Sequence, residues 1–260
     1  MTKMIRVLIC ILFVTFLAHK RLHAECVQGE DPCVPKKKIG EWDRSLAIGF
    51  NMTSGNSNTK LFTVLGRGYY ENNKDIVDLT TMYNFGEDSA VNNEEGDSTT
   101  RNDFRALASY NRLLDDRIYL GLGTRFFYDD IADIDYRVFV DPSLGNYFIK
   151  DNSFKFRLEA GPSYVFERVG GIKSDYLAPR IGDRFEWIIS CTSKIYQSAD
   201  ILFDVTDSNN YLVNAELGAE AALSSSMSLV FLARETYDNQ PAEGRKKDDL
   251  ALITALKVAI

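Results

Sequence analysis

The sequence predicts an all-β fold, a transmembrane antiparallel β-barrel of about twelve strands preceded by a signal peptide. Three observations carry this. From Trp42 onward, apolar and polar residues alternate with a period of two. The polar faces of that alternation carry many arginines and carboxylates. The one long apolar run, Val7 to Ala18, follows a short basic start and is too short for a spanning helix, which needs about twenty residues.

The first segment, Met1-Thr2-Lys3-Met4-Ile5-Arg6 and its apolar run, suits a secretory signal peptide cleaved after Ala24. Glu25 before Cys26 speaks against a lipoprotein signal, which needs a small residue there. With residues 1–24 gone, Lys3, Arg6, Lys20 and Arg21 leave and the formal charge moves from −7 to −11. An acidic chain of this kind has no reason to bind nucleic acid. Residues 25–41 hold Pro32, Pro35 and Lys36-Lys37-Lys38 without an apolar period, and read as a periplasmic N-terminal extension. Cys26 and Cys33 could close a small loop in an oxidising periplasm, with Cys191 the odd thiol.

Residues 42–260 read as the barrel. Candidate strands follow at 44–53, 59–70, 75–86, 101–112, 117–129, 134–149, 154–167, 176–190, 194–206, 211–223 and 227–238, with a last one ending at Ile260. In the fifth, Ile118, Leu120, Leu122, Phe126 and Tyr128 share one face, and Tyr119, Gly121, Gly123, Arg125 and Asp129 the other. In the seventh, Phe154, Phe156, Leu158, Ala160, Pro162, Tyr164 and Phe166 oppose Lys155, Arg157, Glu159, Gly161 and Glu167. The last sets Leu250, Leu252, Thr254, Leu256, Val258 and Ile260 against Lys257. Starting from a periplasmic N-terminus, the inner turns are tight, and several outer connections (87–99, 168–175 and 239–248) are longer.

A soluble sandwich also alternates, but its strands usually need only five or six residues, whereas a tilted spanning strand needs about 9–11. In lipid every backbone group must pair, so the sheet closes and its apolar face turns outward. The charged face then lines a lumen. Its candidates are Arg105, Arg125, Asp129, Arg137, Asp141, Arg157, Glu159, Arg180, Arg184, Glu186, Asp200, Asp204, Glu216, Glu220, Arg234 and Lys257. Asp183 and Glu235 fall on apolar faces, which a β-bulge or a near-interface position would explain. The bacterial outer membrane is the implied location, and its lipids and assembly machinery are the expected partners.

Catalytic chemistry finds little support. His19 and His23 both lie in the signal segment, which removes Ser-His-Asp and Cys-His schemes and histidine metal sites. Glu159 with Glu167, and Glu216 with Glu220, share faces but read as parts of a balanced charged wall rather than a hydrolytic pair. Asp129, Asp130, Asp133 and Asp135 lack the glycine and closing glutamate of a calcium loop and read as solvated. The expectation is no enzyme, no cofactor and no metal.

Several stretches in shared order resemble a known family. They are Ser54-Gly55-Asn56, Asp133-Ile134-Asp135-Tyr136-Arg137, Gly145-Asn146-Tyr147, Glu159-Ala160-Gly161-Pro162-Ser163-Tyr164, Phe185-Glu186-Trp187, and Tyr237-Asp238-Asn239 running on to Pro241 and Gly244-Arg245-Lys246-Lys247. Over about residues 42–260 the chain resembles the salt-induced outer-membrane protein family, domain of unknown function 481. That resemblance implies an outer-membrane barrel and supplies no catalytic residue. The chain departs from common outer-membrane endings by finishing on Ile260 rather than an aromatic residue.

Two functions compete. The first is a narrow channel or passive transport protein, wider than an eight-stranded barrel and narrower than a sixteen-stranded porin. The second is a structural barrel whose lumen is plugged by ion pairs, which the near-balance of inward charge favours.

Overall fold

The computed structural model describes residues 39–52, 58–89 and 98–260. The expected signal peptide, nearly all of the expected extension with Cys26 and Cys33, and most of the outer connection expected over 87–99 lie outside the described residues. Twelve strands form: β1 (Trp42–Met52), β2 (Asn58–Glu71), β3 (Asp75–Ser89), β4 (Ser98–Leu113), β5 (Ile118–Asp129), β6 (Ile134–Lys150), β7 (Phe154–Val169), β8 (Ile172–Ser190), β9 (Ser193–Phe203), β10 (Tyr211–Ala222), β11 (Met227–Asp238) and β12 (Asp248–Ala259). Each pairs antiparallel with its sequence neighbours, and β1 closes on β12 over Ser45–Ile48 against Leu256–Ala259. Closure leaves no sheet edge to desolvate, which is what a strand-built span in lipid requires.

The alternation sorts side chains as a membrane barrel must. Leu120 is 52% exposed and Leu252 66%, within a belt of exposed aliphatic and aromatic residues that also includes Leu122, Leu144, Leu177 and Phe231. Neighbours one residue away are enclosed: Tyr119 beside Leu120, and Ala251 and Ile253 beside Leu252. An exposed apolar belt of this extent faces lipid, and the chain is an outer-membrane-type β-barrel.

Turns at the end holding Trp42 and Ala259 are tight and side-chain capped. Asn72 Oδ1 accepts from the backbone N–H groups of Lys74 and Asp75. Asp115 Oδ1 accepts from those of Arg117 and Ile118, at 2.7 Å each. These bonds hold the Asp115 carboxyl below the usual carboxylate range. At the opposite end the structure corrects one expectation. The loop expected over 168–175 is a two-residue hairpin in which Gly170 and Gly171 have φ of 58° and 75°. Two successive positive φ values are the type I′ geometry that matches strand twist, and glycine adopts them without penalty.

Inside, two tyrosines lie against glycines directly opposite them. Tyr119 faces Gly145 and Tyr196 faces Gly218. A Cβ at either glycine would overlap the ring. The interior is also more apolar than a charged wall implies. Ala47, Met82, Leu232, Ala251, Ile253 and Ala255 form one buried cluster beside the β1–β12 seam. Phe139, Val165, Tyr176, Ala178, Leu202 and Leu212 form a second across β6–β10.

Asp183 sits in regular pairing, opposite Leu158 and Ala199, with the Gln197 amide as its polar neighbour. The β8–β9 register shift lies at Ile188/Ser190, so no bulge accounts for Asp183. Glu235 lies three residues from the end of β11, between Ala215 and Leu250. Cys191, in the β8–β9 turn, is disulfide-bonded, which corrects its reading as the odd thiol.

Candidate functional site in the lumen

Strand periodicity brings charged residues from all sides of the barrel to its axis, and the ion pairs they form are long-range. Near the loop end, Arg137 of β6 is bonded to Glu167 of β7 and reaches Asp238 of β11 at 2.8 Å. Arg101 of β4 bonds Asp103 at 2.6 Å and Asp249 of β12 at 3.2 Å. Asp103 is enclosed and also accepts from Asn84, which in turn accepts from Thr63. Asp129 ends β5 and accepts from the Ala132 N–H in the following turn. Asp204 follows the last residue of β9 and accepts from Thr206 and Asn210 in the outer connection.

The middle of the lumen is crossed by Arg125. From β5 its Nε meets Asp141 of β6 at 2.7 Å and its Nη1 meets Asp200 of β9 at 3.1 Å. The Phe139 ring lies 4.2 Å from the guanidinium carbon. Arg180 donates to Glu159 at 2.8 Å, and the Tyr119 hydroxyl donates to the same carboxylate. Arg234 pairs with Glu216 at 3.1 Å and approaches Met82 of β3 across the barrel. Arg105, stacked 5.0 Å from the Phe127 ring, bonds Thr236 of β11 and has Asp103 at 3.8 Å.

Toward the turn end, Asp78 of β3 is held bidentately by Arg67, at 3.2 and 2.9 Å. Arg184 of β8 comes within 4.0 Å of Asp78. Arg157 of β7 lies 5.5 Å from the Tyr119 ring and 5.9 Å from that of Tyr147. Glu220 joins Lys194 and Lys257, and Glu186 lies opposite Lys155. The carboxylates at 159, 167, 216 and 220, considered above as hydrolytic pairs, are each engaged by a cation.

Among the described residues, two cavities lie between these ion pairs. One of about 240 Å³ lies amid Arg105, Arg125, Asp141, Glu159, Arg180, Asp200 and Arg234. A smaller one of about 50 Å³ lies toward the turns, among Arg67, Tyr69, Glu71, Tyr147, Lys150 and Lys155. Asp78, Ser109, Asn111, Arg157 and Arg184 line both, so these five residues form the waist between them. Among the described residues, four buried side-chain atoms around the larger cavity have no hydrogen-bond partner: Arg125 Nη2, Arg157 Nε, Arg180 Nε and Asp141 Oδ1. Sequence reasoning did not single out Arg67, Asp103 or the two tyrosine–glycine contacts, although each lies on the alternating inward face.

Residues 46–260 match the model of a protein family described as "Protein of unknown function, DUF481". No curated protein matches the chain. Among solved structures, an outer-membrane channel from Pseudomonas putida F1 superposes with a TM-score of 0.50 at 9% identity, covering 90% of this chain and 100% of that one. The translocator domain of the autotransporter NalP from Neisseria meningitidis gives a TM-score of 0.46 at 10% identity, covering 94% and 96%. The NanC porin gives 0.46 at 9% identity, covering 83% and 97%. At these identities the likeness concerns the fold.

Proposed function

The chain belongs to that family, DUF481, and from the geometry of its lumen we propose that it is a narrow channel for passive movement of small polar solutes. The observation that carries this reading is the pair of cavities, each lined by many charged side chains, that share a waist at Asp78, Ser109, Asn111, Arg157 and Arg184. A lining of charged and hydroxyl groups favours water over lipid or an apolar ligand. Unpartnered buried donors are costly unless solvent or solute reaches them, which also favours a hydrated path. Twelve strands set the bore between eight-stranded barrels filled by side chains and wide sixteen-stranded porins.

A second reading, a plugged structural barrel, is favoured by Arg137, whose bonds to Glu167 and Asp238 tie β6 to β11 across the loop end. The two differ in permeability. Proteoliposomes carrying the folded barrel should swell in isosmotic solutions of amino-acid-sized solutes and exclude oligosaccharides. Absence of swelling with every solute, from vesicles shown to hold folded protein, would favour the plug.

A further inference from the structure

We propose that Arg157 and Arg184 form an anion-binding constriction of the lumen, taking small oxyanions such as phosphate or carboxylates. The two are register partners, directly opposite each other on β7 and β8. Like charges directly opposite on adjacent strands destabilise a sheet, and here the compensation is one-sided: Arg184 has Asp78 at 4.0 Å, a carboxylate it shares with Arg67. Among the described residues Arg157 has no carboxylate within ion-pair distance. Its neighbours are the aromatic rings of Tyr119 and Tyr147 and the Tyr147 hydroxyl at 3.4 Å, and its buried Nε has no partner. The carboxylates nearby are already engaged. Glu159, two residues along β7, accepts from Arg180 and Tyr119. Asp78, 4.0 Å from Arg184, is bound bidentately by Arg67. Glu186, two residues along β8, is shared among Arg184, Lys155, Lys194 and Arg67.

The rings fix the Arg157 guanidinium in place without cancelling its charge, which leaves its planar fork available to an anion. A fold that keeps a like-charge pair only partly compensated at the waist of its cavity breaks a local rule where function is concentrated. An oxyanion seated there would bridge both guanidiniums through charge-assisted hydrogen bonds. The role of the pair in permeation rests on the channel reading; the binding of anions does not.

The experiment uses the full-length barrel folded in detergent and then in planar bilayers. Three forms are compared: wild type, Arg157→Gln with Arg184→Gln, and Arg157→Lys with Arg184→Lys. Resistance of the unboiled barrel to denaturation on a gel confirms that each is folded. Inorganic phosphate should raise the unfolding temperature of the wild-type and lysine forms and not of the glutamine form. Under a potassium chloride gradient, the reversal potential of the first two should show chloride preferred over potassium by about threefold or more, falling to near equality in the glutamine form. A phosphate response undiminished in the glutamine form, or a wild type that prefers potassium, would overturn the proposal. Phosphate stabilisation without any conductance would uphold the anion site and refute the channel. Conductance without either anion effect would do the reverse.

Discussion

Replacing Arg125 by methionine should cost the folded barrel about 3–5 kcal/mol, the penalty for stranding a buried charge. The size follows from what the substitution leaves behind. Asp141, 4% exposed, has Arg125 as its ion-pair partner, and its Oδ1 already lacks a hydrogen bond. Asp200 is less dependent, because Asn214 donates to it at 3.3 Å and Arg180 Nε lies at 3.8 Å. The loss is therefore concentrated on Asp141. Asp200→Asn should cost less, about 1–3 kcal/mol, since Arg125 keeps its 2.7 Å bond to Asp141. Combining Arg125→Met with Asp141→Leu should recover most of the single-variant loss, because an apolar pair replaces an orphaned charge. Equilibrium unfolding in lipid vesicles, followed by the fluorescence of Trp42 and Trp187, supplies the double-mutant cycle. A cost below about 1 kcal/mol for Arg125→Met would refute the reasoning, since it would mean that water already screens this site.

Three further outcomes can be checked in the same system. Leu252→Arg places a charge mid-strand on the outer face and should destabilise by about 2–4 kcal/mol, while a spin label there should respond to a lipid-soluble relaxer and one at Arg157 should not; a water-accessible position 252 would contradict the facing. Gly218→Ala should cost about 1–3 kcal/mol by forcing Tyr196 off its strand, with an unfolding midpoint unchanged from wild type as the contrary result. The Asp115 carboxyl, held below its ordinary value by backbone bonds from Ile118 and Arg117, supports its turn above the ordinary carboxylate range, and that support is lost as pH falls through the depressed value. A carboxyl resonance titrating in the ordinary range would contradict this.

The alternation of Leu120 with Tyr119, or of Leu158 with Arg157, was legible because one physical demand, lipid outside and polar groups inside, acts at every second residue. Where that demand ends, so does the signal. Above the lipid both faces of β8 meet water, so Lys173, Ser174 and Asp175 read as loop although the strand continues through them. Gly170-Gly171 between two alternating runs was the available clue to the tight hairpin. The apolar clusters inside had a clue as well. Leu250 to Leu256 is apolar on both faces apart from Thr254, which marks a strand packed on its inner side too. Which cation meets which carboxylate was not legible. Arg125 with Asp200, or Arg137 with Asp238, depends on the bore and stagger of the closed sheet, and strand patterns contain neither. The disulfide at Cys191 was hidden for the same reason: connectivity is a property of the folded chain.

Single-channel recording of the purified, folded barrel in planar bilayers tests the channel claim most directly. A narrow hydrated path through the Arg157–Arg184 waist predicts discrete steps of small, voltage-sustained conductance, well below those of a sixteen-stranded porin. Bilayers that contain folded, inserted barrel and stay electrically silent at every voltage would contradict it.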